Sequence, residues 1–179
     1  MFLESGKIGL RPLERDDLKQ AQIWRNNAEV RESFREYRPL NLADQERWFD
    51  SLKDGRSIMF AIIFHGDEAT PRFIGVCGLT YIDMHNRSAE ISWYVGVKKY
   101  QGHDQEIIKM LLRYGFEELG LHRIFAECYA FAADRITILA QVGLQHEGII
   151  RDVVYRHGVF HNSHMLSILE GEWRSQVAL

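Results

Sequence analysis

Apolar and polar positions alternate most informatively between residues 91 and 119. Ile91 to Val97 is almost wholly apolar, Lys98 to Gln105 is polar, and apolar residues then recur at Ile108, Leu111, Leu112, Gly115, Phe116 and Leu119. Those offsets match one face of a 3.6-residue period, so the stretch predicts a strand, a short polar turn and an amphipathic helix. The first turn of such a helix carries N–H groups without intrahelical partners, which suits an anion.

The same reading organises the flanking chain. IGLRPLE at 8–14 predicts a strand stopped near Pro12. Asp16 is expected to cap a helix reaching about Asn27, with Leu18, Ala21, Gln22 and Trp24 near one side. A short helical piece is expected over Glu29 to Phe34. Asn41 then caps a helix whose buried face holds Leu42, Gln45, Trp48, Phe49 and Leu52, closed by Gly55. SIMFAIIF, RFIGVCGLTYID and AEISWYVGV predict a three-strand meander with turns at His65–Pro71 and HNRS. After the long helix come a strand (RIFAECYAF), a short helix (DRITILAQVG), and two strands turning at His157–Gly158. No linker or repeat breaks this order. It predicts a single α/β domain over 1–179, with a mixed, mostly antiparallel sheet and helices on both faces.

Composition narrows the function classes. A net charge of −3 argues against general binding of a nucleic-acid backbone. The longest apolar run, Ile58 to Phe64, is too short to span a bilayer, and MFLESGKIGLRPL lacks the order of a signal peptide. The expected location is the cytoplasm, with no membrane or nucleic-acid partner. Cys77 and Cys128 sit inside apolar stretches without paired spacing, as small core residues of a reducing compartment do. His157, His161 and His164 lie along the last hairpin, where 161 and 164 point to opposite faces, so no metal site is expected.

Several stretches, in this order, resemble the GNAT superfamily of acyl-CoA N-acyltransferases. They are IGLRPLERDDL, the WRN at 24–26, DQERWF at 44–49, FIGVCGL, AEISWYV, LRYGFEELGLHRI, VGLQHEGIIRD and HGVFHNSHMLSILEGEW. The similar branch contains ribosomal-protein N-terminal, spermidine and amino-sugar acetyltransferases. The resemblance implies a sheet splayed between 89–97 and 123–131, with acetyl-CoA as acyl donor in the cleft. Its pantetheine arm would run along Val95, Gly96 and Val97. Its pyrophosphate would rest on the turn Gln101, Gly102, His103, Asp104, Gln105 and Glu106. A small amine acceptor would enter from the other side, near Trp24, Arg25, Asn26 and Trp48; WRN and DQERWF favour a nucleotide-linked amino sugar over a polyamine or a protein N-terminus. A monomer or homodimer is expected.

The chain also departs from the family pattern. Where the family's turn reads Gln/Arg-x-x-Gly-x-Gly/Ala, this one places Asp104 and Glu106 in place of glycines. A carboxylate near 5 Å from a phosphate costs roughly 3 kcal/mol at an effective dielectric of about 20. The family's Asn and Ser at the start of the last short helix correspond to Ala132 and Arg135, and Arg135 is expected to supply a phosphate contact instead. The tyrosine that many members use to protonate the leaving thiolate corresponds to Leu139. Candidates for the acid and base are Glu90, Ser92, Tyr129 and Glu147, with a backbone N–H at Val95 or Gly96 to polarise the carbonyl if the strand bulges there. The alternative function is a binding module of the same fold that has lost acyl-CoA and catalysis.

Overall fold

The computed structural model describes residues 1–66 and 70–177. It contains one eight-stranded sheet in the order β1-β2-β3-β4-β5-β6-β8-β7. The strands are β1 (Leu3–Ser5), β2 (Ile8–Pro12), β3 (Ile58–Phe64), β4 (Arg72–Asp83), β5 (Ser88–Val95), β6 (Arg123–Tyr129), β7 (Gln145–Arg156) and β8 (Val159–Leu169). Every neighbouring pair is antiparallel except β5 and β6, which run parallel. The helices are α1 (Leu18–Asn26), α2 (Ala28–Arg31), α3 (Leu42–Ser51), α4 (Asp104–Arg113), α5 (Ala133–Gln141) and α6 (Glu170–Val177). The mixed sheet, the meander and the order of elements agree with the sequence reading. The centre of the predicted turn between β3 and β4 lies outside the described residues.

The sheet separates two apolar layers. Ile91, Trp93 and Val95 of β5 join Ile108, Leu111 and Leu112 of α4 and Leu139 of α5 in the larger one. Leu18, Ala21 and Trp24 of α1 join Ala61, Val76 and Tyr94 in the smaller one. This alternation is the period-two consequence of a strand buried on both faces.

Local chemistry fixes the element ends. Asn41 and Asp44 form a reciprocal cap: Asp44 N donates to Asn41 Oδ1 at 2.9 Å and Asn41 N to Asp44 Oδ2 at 3.0 Å. Leu42, expected on the buried face of that helix, remains exposed. Asp16 does not cap α1. A 3₁₀ turn over Arg15–Asp17 precedes it, and Asp17 accepts from Glu14 N at 2.9 Å and from Arg11 at 2.7 and 2.8 Å. The long helix also differs, since α4 gives way to a π-helical turn at Tyr114–Glu118. There Gly115 meets β6 so closely that a Cβ would stand 2.6 Å from Ile124 Cδ1. The β1 strand and α6 were not anticipated. Among the described residues no helix is long and apolar enough to cross a membrane.

Candidate active site

Strands β5 and β6 share only three residue pairs, Ser88↔Arg123, Ala89↔Ile124 and Glu90↔Phe125. Beyond them β5 stays with β4 as far as Val95 and β6 stays with β8 as far as Tyr129. A cleft therefore opens just past Glu90, at the place the family resemblance implied. Two cavities meet in it. One, of about 730 Å³, lies towards α1–α3 and is lined in part by Arg25, Trp48, Glu90, Ser92, Glu127 and Tyr129. The other, of about 600 Å³, is lined in part by Val95, Gln101, Gly102, Asp104, Ala132 and Ile138. Phe34, Tyr94 and Arg135 line both.

The first cavity is dominated by an ion cluster that sequence reasoning missed. Glu90 is buried, and Arg35 grips it with Nη1 and Nη2 at 2.8 Å each. The same Nη2 reaches Glu127 Oε2 at 2.6 Å, while Ser163 Oγ donates to Glu127 Oε1 at 2.7 Å. Burial pushes the Glu127 carboxyl up, but Ser163 and Arg35 outweigh it and hold the group below its ordinary value. Hydrogen bonding to Glu90 is the leading reason that the Arg35 guanidinium is held even more firmly protonated than usual.

Arg35 belongs to a strap, residues 32–40, tied down at both ends. Asn26 Nδ2 donates to Leu40 O and Leu40 N to Asn26 Oδ1, each at 2.8 Å. Arg25 Nη2 donates to Glu36 O at 3.3 Å, and its guanidinium lies 3.8 Å from the Phe34 ring. Arg156, at the end of β7, donates to Phe34 O at 3.3 Å. Asn26 is thus a latch for the strap and lines neither cavity. Trp24 is a core residue, packed on Phe73 at 4.9 Å between ring centroids, and Gly96 presses against it. Arg25 and Trp48 do reach the cavity.

Of the proposed acids and bases, Glu90, Ser92 and Tyr129 come together in the first cavity. Glu147 does not. It lies on β7, bound by Arg123 and by Ser167 Oγ at 2.6 Å, and lines neither cavity. Burial raises the phenols of Tyr129 and, more strongly, Tyr94, which weakens both as proton donors. Leu139 is fully buried in the core. Gly96 N donates to Ile74 O at 2.8 Å, so the expected bulge is absent and this N–H is already taken. The bulge falls instead between Thr80 and Asp83 of β4, where Tyr81, at φ 50°, is exposed at the first cavity.

The turn before α4 corrects a second expectation. Asp104 turns inward: its Oδ1 accepts from Trp93 Nε1 at 2.7 Å and its Oδ2 from Gly102 N at 3.3 Å. It borders the second cavity. Glu106 does not: it pairs with His103 Nδ1 at 3.2 Å and faces Gly6, where a Cβ would stand 3.2 Å from its Oε1. Gln105 bonds Gln141 of α5 at 2.7 Å, and Val97 packs between the two layers. Arg135 turns inward from α5. Its guanidinium lies 3.6 Å from the Trp93 ring and donates to Trp93 O at 3.2 Å, inside the cleft and not on the outer turn.

Comparison with known proteins accords with this geometry. Residues 7–145 match the family model described as an acetyltransferase (GNAT) domain. The chain is 32% identical over 125 residues to the uncharacterized N-acetyltransferase p20 of Bacillus licheniformis, covering 69% of this chain and 68% of that protein. It is 24% identical over 172 residues to the spermidine N(1)-acetyltransferase of Escherichia coli K12, covering 94% and 89%. The crystal structure of the spermidine N-acetyltransferase of Vibrio cholerae, in complex with CoA and spermine, superposes with a TM-score of 0.83 at 22% identity, covering 94% of this chain and 98% of that one.

Proposed function

The chain belongs to the GNAT acetyltransferase family and is an acetyl-CoA-dependent N-acetyltransferase, and we propose that its acceptor is a small molecule presenting one primary amine to Glu90 and Glu127. The observation that carries this reading is the Arg35 clamp, a cation held between two carboxylates at the cleft mouth. A site built this way recognises one ammonium. Of the other carboxylates lining the cavity, Glu36 is engaged by Arg38 at 2.7 Å and Asp44 by Arg47, while Asp54 accepts from Arg56 N at 2.8 Å. Outside the clamp a polyamine would therefore find, among the described residues, Asp54 as the one lining carboxylate not held in an ion pair, too few for its second and third charges. Arg25, whose Nη1 has no hydrogen-bond partner, leaves a cation for an anionic body. An amine on a negatively charged scaffold, such as a nucleotide-linked amino sugar, satisfies both features.

The donor side fits acetyl-CoA in shape. Past Glu90, β5 offers a free edge towards β6 for an extended amide chain, and the second cavity adjoins the start of α4. Gly102, at φ 114° with open space around it, leaves backbone uncovered at that turn. When bound, acetyl-CoA supplies the activated acyl group. In this reading the residues do the rest. Glu90 and Glu127 hold the ammonium and, once Arg35 yields, take its proton directly or through water. Ser92 and Tyr129 orient the acceptor. In this reading residues 1–179 form a single domain that works as a monomer or homodimer.

Spermidine acetylation is the second reading. The E. coli and V. cholerae relatives favour it, and displacement of Arg35 would expose two carboxylates. The experiment is CoA-thiol release with equal concentrations of spermidine and of UDP-linked amino sugars. We expect at least tenfold higher kcat/KM for an amino sugar; a tenfold preference for spermidine would replace this acceptor with the polyamine.

A further inference from the structure

Arg135 is a second cleft cation without an anionic partner, after Arg25. No carboxylate lies within ion-pair distance of it among the described residues. The groups that face it are few. Asp104 of α4 acts on it from a distance but is committed to Trp93 and Gly102; Cys128 of β6 contributes a neutral thiol. Glu90 of β5 and Glu127 of β6 lie beyond Cys128 and are occupied by Arg35. Arg135 is only partly exposed, and burial is the leading influence lowering its pKa; drawing a guanidinium out of water without an anion is costly. Such an arrangement is favourable when a negative charge arrives beside it.

The position says which charge that is. Arg135 lines both cavities and lies one helical turn before the fully buried Leu139, on the free carbonyl of Trp93 where β5 and β6 part. Resting on the acyl-transfer reading above, we propose that Arg135 is a catalytic residue that stabilises the departing thiolate as a fixed cation, in place of proton donation. The acceptor nitrogen bonds to the carbonyl carbon, the carbon–sulfur bond breaks, and its electron pair stays on sulfur beside the guanidinium. The ammonium gives up one proton before attack and the nitrogen a second as the amide forms, both on the acceptor side, and the thiolate takes a proton from water on release. The thioester is neutral and the leaving sulfur is not, so the interaction strengthens as the reaction proceeds. Trp93 holds the guanidinium in place by stacking, and Asp104 holds the Trp93 ring.

Bound CoA tests this without turnover. The CoA thiol lacks the electron-withdrawing backbone groups that bring a cysteine to about 8.5, and when free it titrates above that value. Followed by thiolate absorbance against the protein alone, the thiol of CoA bound to the parent should titrate at least one pH unit lower. CoA should therefore bind at least about twofold tighter at pH 9 than at pH 6, while desulfo-CoA, which lacks the sulfur, should not change. Arg135→Gln should abolish the shift and leave desulfo-CoA affinity within about threefold, and Arg135→Lys, which keeps the charge, should retain a shift. Melting temperatures of both variants establish that they fold; if the glutamine variant does not, the parent and lysine titrations still decide. An unshifted thiol in the parent, or equal loss of CoA and desulfo-CoA affinity in Arg135→Gln, overturns the proposal and makes Arg135 a contact for the rest of the donor. Failure of the parent to bind CoA and desulfo-CoA alike overturns the donor reading itself.

Discussion

Removing Arg35 should turn an acid-stable ion cluster into a proton-binding one. In Arg35→Gln, Glu90 and Glu127 lose the guanidinium that both share through one nitrogen, at 2.8 and 2.6 Å. Two oxygens so bridged lie within roughly 5 Å, and their repulsion is roughly 3 kcal/mol at an effective dielectric of about 20. The Arg35 side chain is 49% exposed, so solvent at the cavity mouth reduces this to about 1 to 2 kcal/mol. That corresponds to about one pH unit or slightly more in the proton affinity of the pair. The sign differs between the two proteins. In the parent, Glu127 is held below its ordinary value, so its contribution is present above about pH 4.3 and is lost as pH falls through the lower folded value. In the variant the pair binds a proton more readily than in the unfolded chain, so stability is greatest at low pH and falls as pH rises through the raised value. Thermal unfolding from pH 5 to 7 should therefore be flat in the parent and decline by about 1 kcal/mol in Arg35→Gln. Parallel profiles would refute the argument that the two carboxylates are coupled through Arg35.

Three further outcomes follow from the same geometry. Asp104→Asn removes a carboxylate that borders the donor cavity while keeping an acceptor for Trp93 Nε1; calorimetry at low salt should show acetyl-CoA binding about three- to tenfold tighter, the gain shrinking at high salt, and Glu106→Gln should change nothing. Gly96→Ala places a Cβ 2.1 Å from Trp24 Cδ2, and urea unfolding should register a loss of about 1 to 3 kcal/mol; a neutral result would mean that α1 shifts freely over the sheet. Asn26→Ala cuts both bonds to Leu40 and should cost about 1 to 2 kcal/mol while raising acceptor KM more than it lowers kcat, because it loosens the strap without touching the cleft.

What could be read before the structure, and what could not, divides by the range of the interaction. The strand, turn and helix at 91–119 were legible because they are consecutive and the period changes within 29 residues, whereas the split between β5 and β6 was implied by the family resemblance. The Asn41 cap was legible because both partners lie within four residues. The Arg35 clamp was not: its partners stand 55 and 92 positions away, and an arginine in an irregular strap has no period to betray where it points. Glu127 did leave a signal, an acidic residue between Phe125 and Tyr129 on one face of an otherwise apolar strand, which a buried charge explains only if a cation meets it. The acidic turn was misjudged for a different reason. Asp104 and Glu106 were both placed against the phosphates, yet residues two apart on a helix are turned some 200° from each other and cannot share a face. Once Asp104 is drawn inward by Trp93, Glu106 must face away, towards His103 and the β1–β2 turn. The two opposing charges thereby reduce to one, and that one also braces the ring on which Arg135 lies. An acidic residue that looks hostile to the donor from sequence is, in place, part of what holds an unpaired cation of the cleft.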